Sequence, residues 1–249
     1  MKKLVLIKLG GSLISDKTKI NKARNYEIKR LSKQIKEIQR NFSLIIFTGA
    51  GGFGHPLAEK YKDDLEKGLR EIKNAVKKLN KIVVSSLNNV GLRVVSVEPD
   101  KVAKYKNGQM VKLLDGYIAK LLVNNITPVF HADLVDDQEL GISILSMDKF
   151  LVDVAIHFKN RGFKVEKAIF LGITPGVTSE VAGRPGMTIQ TITKKTFSKM
   201  EGVFHKGKGI DVTGGMKYKV KQCLRLADKG IDNYITNDLG LQGTKVTTK

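Results

Sequence analysis

The chain has 249 residues, 41% of them hydrophobic, enough for one large α/β domain or two small ones that fold on their own. Its one cysteine, Cys223, excludes a disulfide framework and a cysteine-based zinc site within one chain, and no run of about eighteen apolar residues marks a membrane-spanning helix. Lys plus Arg exceed Asp plus Glu by 44 to 24, a formal charge of +20 that suits anionic partners: small substrates, acidic membranes or nucleic acid. The lysines are spread over every expected helix, without an arginine-rich tail or an aromatic platform for bases, which weighs against nucleic acid. The apolar run that begins at Leu4 is too short and too soon charged for a signal peptide, so a cytoplasmic location is expected, without membrane contact.

In chain order, residues 3–9 read as a buried strand that stops at the glycine turn Gly10-Gly11-Ser12. Lys8 takes that strand's last polar position, where burial is costly unless an anion or a carboxylate meets it. Ile28, Leu31, Ile35 and Ile38 recur at helical spacing within 26–40, which predicts an amphipathic helix. Residues 44–47 are a short continuous apolar run, the pattern of a parallel strand covered on both faces. A helix follows over 65–83, then a strand over 93–97, a helix over 111–123 and a strand over 127–131. Residues 133–145 read as a polar hairpin, 148–158 as a helix and 167–171 as another apolar strand. A turn-rich excursion over 172–187 contains a strand near 177–179; a last helix spans 216–227, and 234–236 and 244–246 close the sheet. The alternation implies a single α/β domain over 1–249, a mainly parallel sheet sandwiched between helices, with ligands beyond the strands' C-terminal ends.

Gly49, Gly51, Gly52 and Gly54, with His55 and Pro56, follow the 44–47 strand directly. Bare backbone N–H groups there suit a phosphate, and His55 adds a donor. Neither G-x-G-x-x-G nor G-x-x-x-x-G-K-[ST] is met, so a plain strand-to-helix turn with a surface histidine is the competing reading of this stretch taken alone. Three other pieces point at the same crevice: Lys8-Leu9-Gly10-Gly11-Ser12, Ser146-Met147-Asp148, and the run Asp211-Val212-Thr213-Gly214-Gly215-Met216 with Lys219.

Together the four pieces resemble the amino acid kinase superfamily, and within it the isopentenyl phosphate kinases, with their K-x-G-G-S, F-G-H-P and D-V-T-G-G-M strings in the same order. The resemblance spans nearly the whole chain and implies phosphoryl transfer from Mg²⁺-bound ATP to a small phosphate monoester, most simply isopentenyl phosphate. It implies that Lys8 and Lys219 hold the ATP phosphates, Lys17 stabilises the transferring phosphoryl group, Asp148 orients the lysines and His55 grips the acceptor. It further implies acceptor contacts at Ala50, Gly51, Gly54 and Met147, and nucleotide contacts at Gly10, Gly11, Ser12, Gly51, Gly172, Gly176 and Gly215. The acceptor would lie on the part before about residue 160 and the nucleotide on the part after about 161, in a homodimer with no metal site of its own.

Departures from the family pattern are visible as well. Thr48 stands for a histidine, Ala50 for a glycine, Met147 and Lys149 for the glycine and second aspartate of S-G-D-D, and residues 172–177 lack both carboxylates of T-D-V-D-G-V. A methionine in place of glycine predicts either a narrower acceptor site or a loop pushed aside. A kinase of a phosphonate such as fosfomycin or of UMP, and a nucleotide-binding homologue without catalysis, are the alternative readings.

Overall fold

The computed structural model describes residues 2–16, 19, 21–181, 184–200, 215–240 and 243–248; Lys17 and residues 211–214 lie outside them. The first strand, β1 (Leu4–Leu9), is buried along its whole length. Val5, Ile7 and Leu9 enter the core on one face of the sheet, and Leu4 and Leu6 the core on the other, as the two-residue period of a central strand requires. A single turn, α1 (Gly11–Ile14), leads to α2 (Asn25–Gln39), which buries Ile28, Leu31 and Ile35. Next come β2 (Ser43–Thr48), α3 (Gly51–Lys60) and α4 (Leu65–Asn89), the last capped by Asp64, whose carboxylate accepts from Lys67 N–H.

The middle of the chain holds β3 (Val94–Val97), α5 (Pro99–Val102), β4 (Ala103–Lys106), β5 (Gln109–Leu113), α6 (Asp115–Val123) and β6 (Thr127–His131). The hairpin β7 (Asp133–Asp137) and β8 (Gly141–Leu145) precedes α7 (Met147–Asn160) and β9 (Val165–Leu171). The remainder comprises β10 (Thr178–Val181), β11 (Arg184–Thr188), β12 (Thr191–Ile192), α8 (Lys194–Lys199), α9 (Gly215–Asp228), β13 (Asp232–Thr236) and β14 (Gly243–Val246).

Among the described residues the main sheet has eight strands in the order β12-β14-β13-β9-β1-β2-β6-β3. Strands from β13 through to β3 run parallel, and β14 pairs with β13 antiparallel. The helices α2 and α4 cover the face that carries Val5 and Ile7, while α7 and α9 cover the face that carries Leu4 and Leu6. This is the helix-covered, mainly parallel sheet the sequence implies.

Strand order reverses beside β1, which has β2 on one side and β9 on the other, and such a switch leaves a crevice past the strands' C-terminal ends. Thr236, Leu171, Leu9, Thr48 and His131 are successive register partners, so five strand ends finish in one row. Everything that follows them in sequence starts at the same level.

Two segments depart from the sequence reading. The helix expected over 111–123 is two elements, because Asn107 and Gly108, with φ of 48° and 69°, make a tight turn that folds β5 back on β4. Tyr105 thereby faces Met110, and the helix begins only at Asp115. The second departure is α3 itself: Gly51, Gly52, Gly54 and His55 are helical rather than loop. The expected hairpin over 133–145 is present as β7 and β8, in a second sheet of order β5-β4-β7-β8, although it buries Asp133, Leu134, Val135 and Asp137.

Candidate active site

Lys8 falls on the same face of β1 as Leu4 and Leu6, one step nearer the crevice, so its stem is buried where an apolar residue would fit. Its ammonium lies 2.7 Å from Asp148 Oδ1. Asp148 is in the first turn of α7, and Lys219 reaches the same carboxylate from α9, with Nζ donating to Oδ1 at 2.9 Å and Oδ2 at 3.0 Å. Three elements distant in sequence are thus joined by one carboxylate whose side chain is 7% exposed. A buried charge needs such partners.

Burial pushes the Lys8 ammonium down and Lys219 adds repulsion, so it titrates at about 8 in spite of the pull of Asp148. For Asp148, burial works upward, but Lys219 and Lys8 outweigh it and hold the carboxyl at about 2. Burial also opposes the charge on Lys219, which Asp148 more than offsets, leaving it above the usual lysine range. One carboxylate shared by two ammonium groups leaves net positive charge at the ends of β1 and β9. That is a seat for a polyanion.

The two glycine turns press against each other beside this cluster. A Cβ on Gly11 would collide with the backbone of Gly51, and one on Gly51, whose φ is +52°, would strike Ser15 and Gly11 O. Ser15 ties them together: its hydroxyl donates to Gly11 O at 2.7 Å and accepts from Gly52 N–H at 2.8 Å. Gly10 N–H is anchored on Leu171 O and Gly49 N–H on Leu9 O, which fixes both turns to the row of strand ends. The first N–H groups of α3 have no acceptor within the helix, and its positive end starts at that row.

His55 occupies the second turn of α3 and is 9% exposed. Pro56 stands inside the helix and cannot serve the carbonyl of Gly52, which instead accepts from Asn21 N–H at 3.4 Å. Gly54 is wedged: a Cβ there would lie 2.7 Å from Ala50 Cβ and 2.8 Å from Val76 Cγ1 of α4. Ala50 and Gly54 therefore space α3 against α4. Met147, expected to narrow the acceptor site, has its side chain in the core on the α7 face and is only 4% exposed.

Gly172 N–H bonds Thr236 O at 2.8 Å, and among the described residues a Cβ on Gly172 would meet nothing within 4 Å, so this backbone is open to a ligand as far as those residues go. Gly215, at φ +63° at the start of α9, is open in the same way. Gly176 is not, since a Cβ would lie 2.7 Å from both Thr188 Cγ2 and Thr244 Oγ1. The turn from 172 to 177 is held by its own bonds, Thr174 Oγ1 to Gly176 O and Val177 N–H to Thr244 Oγ1, each 2.8 Å. Lys8, Gly10, Gly11, Ser12, Asp148, Gly172, Gly215 and Lys219 all belong to strand ends or the helix starts beyond them. Ser15, which bridges the two glycine turns, carries no motif signal; a serine ahead of an aspartate is commonplace in sequence.

The profile of the amino acid kinase family matches residues 3–237. The isopentenyl phosphate kinase of Methanocaldococcus jannaschii is 30% identical over 233 residues, covering 87% of this chain and 85% of that one. That of Methanothermobacter thermautotrophicus is 29% identical, covering 94% of this chain and 91% of its own length. A crystal structure of an isopentenyl phosphate kinase superposes with a TM-score of 0.78 at 26% identity, over 98% of this chain and 100% of the other. The chain belongs to the amino acid kinase family, in the group that holds the isopentenyl phosphate kinases.

Proposed function

We propose that the chain transfers the γ-phosphoryl group of Mg·ATP to isopentenyl phosphate, giving isopentenyl diphosphate. Its family makes it an ATP-dependent small-molecule kinase, and relatives that are isopentenyl phosphate kinases match over most of its length. The observation that carries the reading is the Lys8-Asp148-Lys219 cluster beside a glycine backbone cradle, at a strand-order switch.

Phosphoryl transfer between two anions asks for positioning and for neutralisation of charge on the moving group. Lys8 and Lys219 would hold the ATP phosphates, with Asp148 fixing where both ammonium groups sit. Lys17, which lies outside the described residues, would meet the transferring group. The acceptor phosphate would rest on the N–H groups of Ala50 and Gly51 with His55 as a side-chain donor and Gly54 shaping the seat, while Met147 packs in the core away from it. Gly10, Gly11 and Ser12 from the part before about residue 160, and Gly172 and Gly215 from the part after about 161, would line the nucleotide side, with Gly176 packed behind them against Thr188 and Thr244; the acceptor would keep to the part before about 160. An acceptor phosphate is already ionised and needs no general base.

Mg²⁺ would arrive as Mg·ATP, its ligands supplied by the phosphates and water: among the described residues no group of three acidic, histidine or cysteine side chains could hold a metal, and Asp148 is committed to two lysines. A homodimer belongs to the same proposal, with exposed Val111, Leu114 and Tyr117 as available apolar area, as does a cytoplasmic location, in keeping with the lone, buried Cys223. No helix among the described residues is long and apolar enough to cross a membrane. The test is ADP release with Mg·ATP and, in turn, isopentenyl phosphate, dimethylallyl phosphate, fosfomycin and UMP. Turnover highest with isopentenyl phosphate is expected; release with none of the four would reject the kinase reading.

A further inference from the structure

The long helix α4 carries a polar stripe on the face it turns to the sheet. Ile72, Val76, Leu79, Val83 and Leu87 are buried there, and among them stands Asn80, 2% exposed. A buried amide costs free energy unless its groups are bonded, and both of these are. Asn80 Oδ1 accepts from Thr48 Oγ1 at 3.3 Å, and Asn80 Nδ2 donates to Ser96 Oγ at 2.6 Å. Thr48 is the last residue of β2, and the turn to α3 begins at Gly49.

One turn before, Val76 Cγ1 closes the space at Gly54, next to His55, where an added Cβ would lie 2.8 Å from it. A further turn back, Lys73 Nζ lies 2.5 Å from Asp100 Oδ2 and 3.1 Å from Asp133 Oδ1. Burial opposes the Lys73 charge, but the two aspartates outweigh it and keep it above the usual range. Asp133 opens β7 two residues after His131, the register partner of Thr48. The stripe Lys73, Val76, Asn80 therefore grips three things in sequence: the strand after β6, the glycine beside His55, and the strand end that launches the cradle. None of these contacts reaches the Lys8-Asp148-Lys219 cluster.

We propose that Asn80 is a positioning residue for the acceptor phosphate, setting through Thr48 the height at which the 49–54 turn and His55 meet it, with Lys73 as a second pin on Asp133. The inference rests on the kinase reading for what the cradle holds. It assigns acceptor geometry to a helix that carries none of the family's motifs, and it separates the acceptor's support from the nucleotide's.

The experiment compares wild type with Asn80→Leu, Thr48→Val, the double variant, Thr48→Ser and Lys73→Met. Loss of the Thr48–Asn80 bond should raise KM for isopentenyl phosphate about five- to tenfold in Asn80→Leu and in Thr48→Val, with KM for Mg·ATP within about twofold of wild type. The double variant should fall short of the product of the two single losses, because both remove the Thr48–Asn80 link, although Asn80→Leu also loses Ser96 Oγ and Thr48→Val the second acceptor Phe130 O; Thr48→Ser should retain wild-type KM. Lys73→Met should raise the acceptor KM without changing that for Mg·ATP. A merely structural brace lowers the thermal midpoint with both KM values unchanged, and that result overturns the proposal. Should Asn80→Leu fail to fold, Thr48→Val against Thr48→Ser makes the same comparison. Calorimetric binding of isopentenyl phosphate reads it without turnover: equal affinity in wild type and Thr48→Val rejects the positioning role, whereas a wild type that binds but turns over nothing rejects only the kinase reading.

Discussion

Lys8 and Lys219, one from the first strand and one from the last helix, meet on a single atom, Asp148 Oδ1, at 2.7 and 2.9 Å. Two like charges share this place only because the carboxylate lies between them. Asp148→Asn should therefore leave two buried ammonium groups without a counter-charge, at a cost of about 3–5 kcal/mol. Denaturant unfolding measures the loss, and kcat should fall at least tenfold in protein that remains folded. A variant of unchanged stability and activity would show that the shared carboxylate does no work.

The same cluster sets a pH dependence. Asp148 titrates at about 2 in the folded chain, below the usual 3.8, so its contribution to stability is complete above about 4 and is lost as pH falls through about 2. Lys8 titrates at about 8 instead of 10.5, so the folded chain binds fewer protons than the unfolded one between those values and gains stability as pH rises across them. Phosphates placed on Lys8 should draw its proton back. Binding of Mg·ATP at about pH 9, near the middle of that window, is expected to take up protons, seen by calorimetry in two buffers of different ionisation enthalpy. Proton release, or none, would place the phosphates elsewhere.

His55→Ala should weaken use of the acceptor and leave nucleotide affinity nearly intact, since His55 stands on α3 and the lysine cluster on β1 and α9. Removing one donor to a charged phosphate costs roughly 1.5–3 kcal/mol, and His55→Gln should restore part of it. Steady-state kcat/KM for the acceptor, set beside the dissociation constant for ADP, separates the two effects. Equal losses in both would mean that His55 serves the whole crevice.

Ser15→Ala should unlock the two glycine turns. It leaves Gly52 N–H buried without its acceptor and removes the donor to Gly11 O, a loss of about 1–3 kcal/mol with a rise in both KM values. Ser15→Thr tests whether the hydroxyl alone suffices, its extra methyl having to fit a fully buried site. An alanine variant as stable and active as wild type would assign the link to backbone packing.

Met147→Gly would restore the glycine of the family string, and by sequence alone it should open the acceptor site. Its side chain lies in the core, so the expected outcome is instead a loss of about 2–5 kcal/mol from the cavity, with acceptor KM little changed. Thermal unfolding and acceptor KM measured together decide the matter. Improved acceptor use at unchanged stability would return Met147 to the crevice.

The sequence by itself determined the layers and the place of the site. Runs such as 44–47, apolar at every position, can only be strands covered on both faces, and helical periods between them require a parallel sheet with its ligand crevice at the strands' ends. It also marked Lys8 as a charge in need of a partner, and the motif strings that carry Asp148 and Lys219. Tertiary structure showed Lys8 and Lys219 sharing the Asp148 carboxylate; the resemblance implied that link, but no sequence spacing encodes contact between residues 8, 148 and 219. It decided that the glycines after β2 are a helix, their φ and ψ being set by the Ser15 bridge, the Asn21 bond to Gly52 O and the wedge of Val76, against their own low helix propensity. It split 111–123 through the Asn107-Gly108 turn, a signal present in the sequence but outweighed by the helical period that follows. It turned Met147 inward and gave Asn80 its partners. Periodicity and glycine chemistry are local and can be read along the chain; which buried polar groups satisfy one another depends on where strands and helices come together, and only packing settles that.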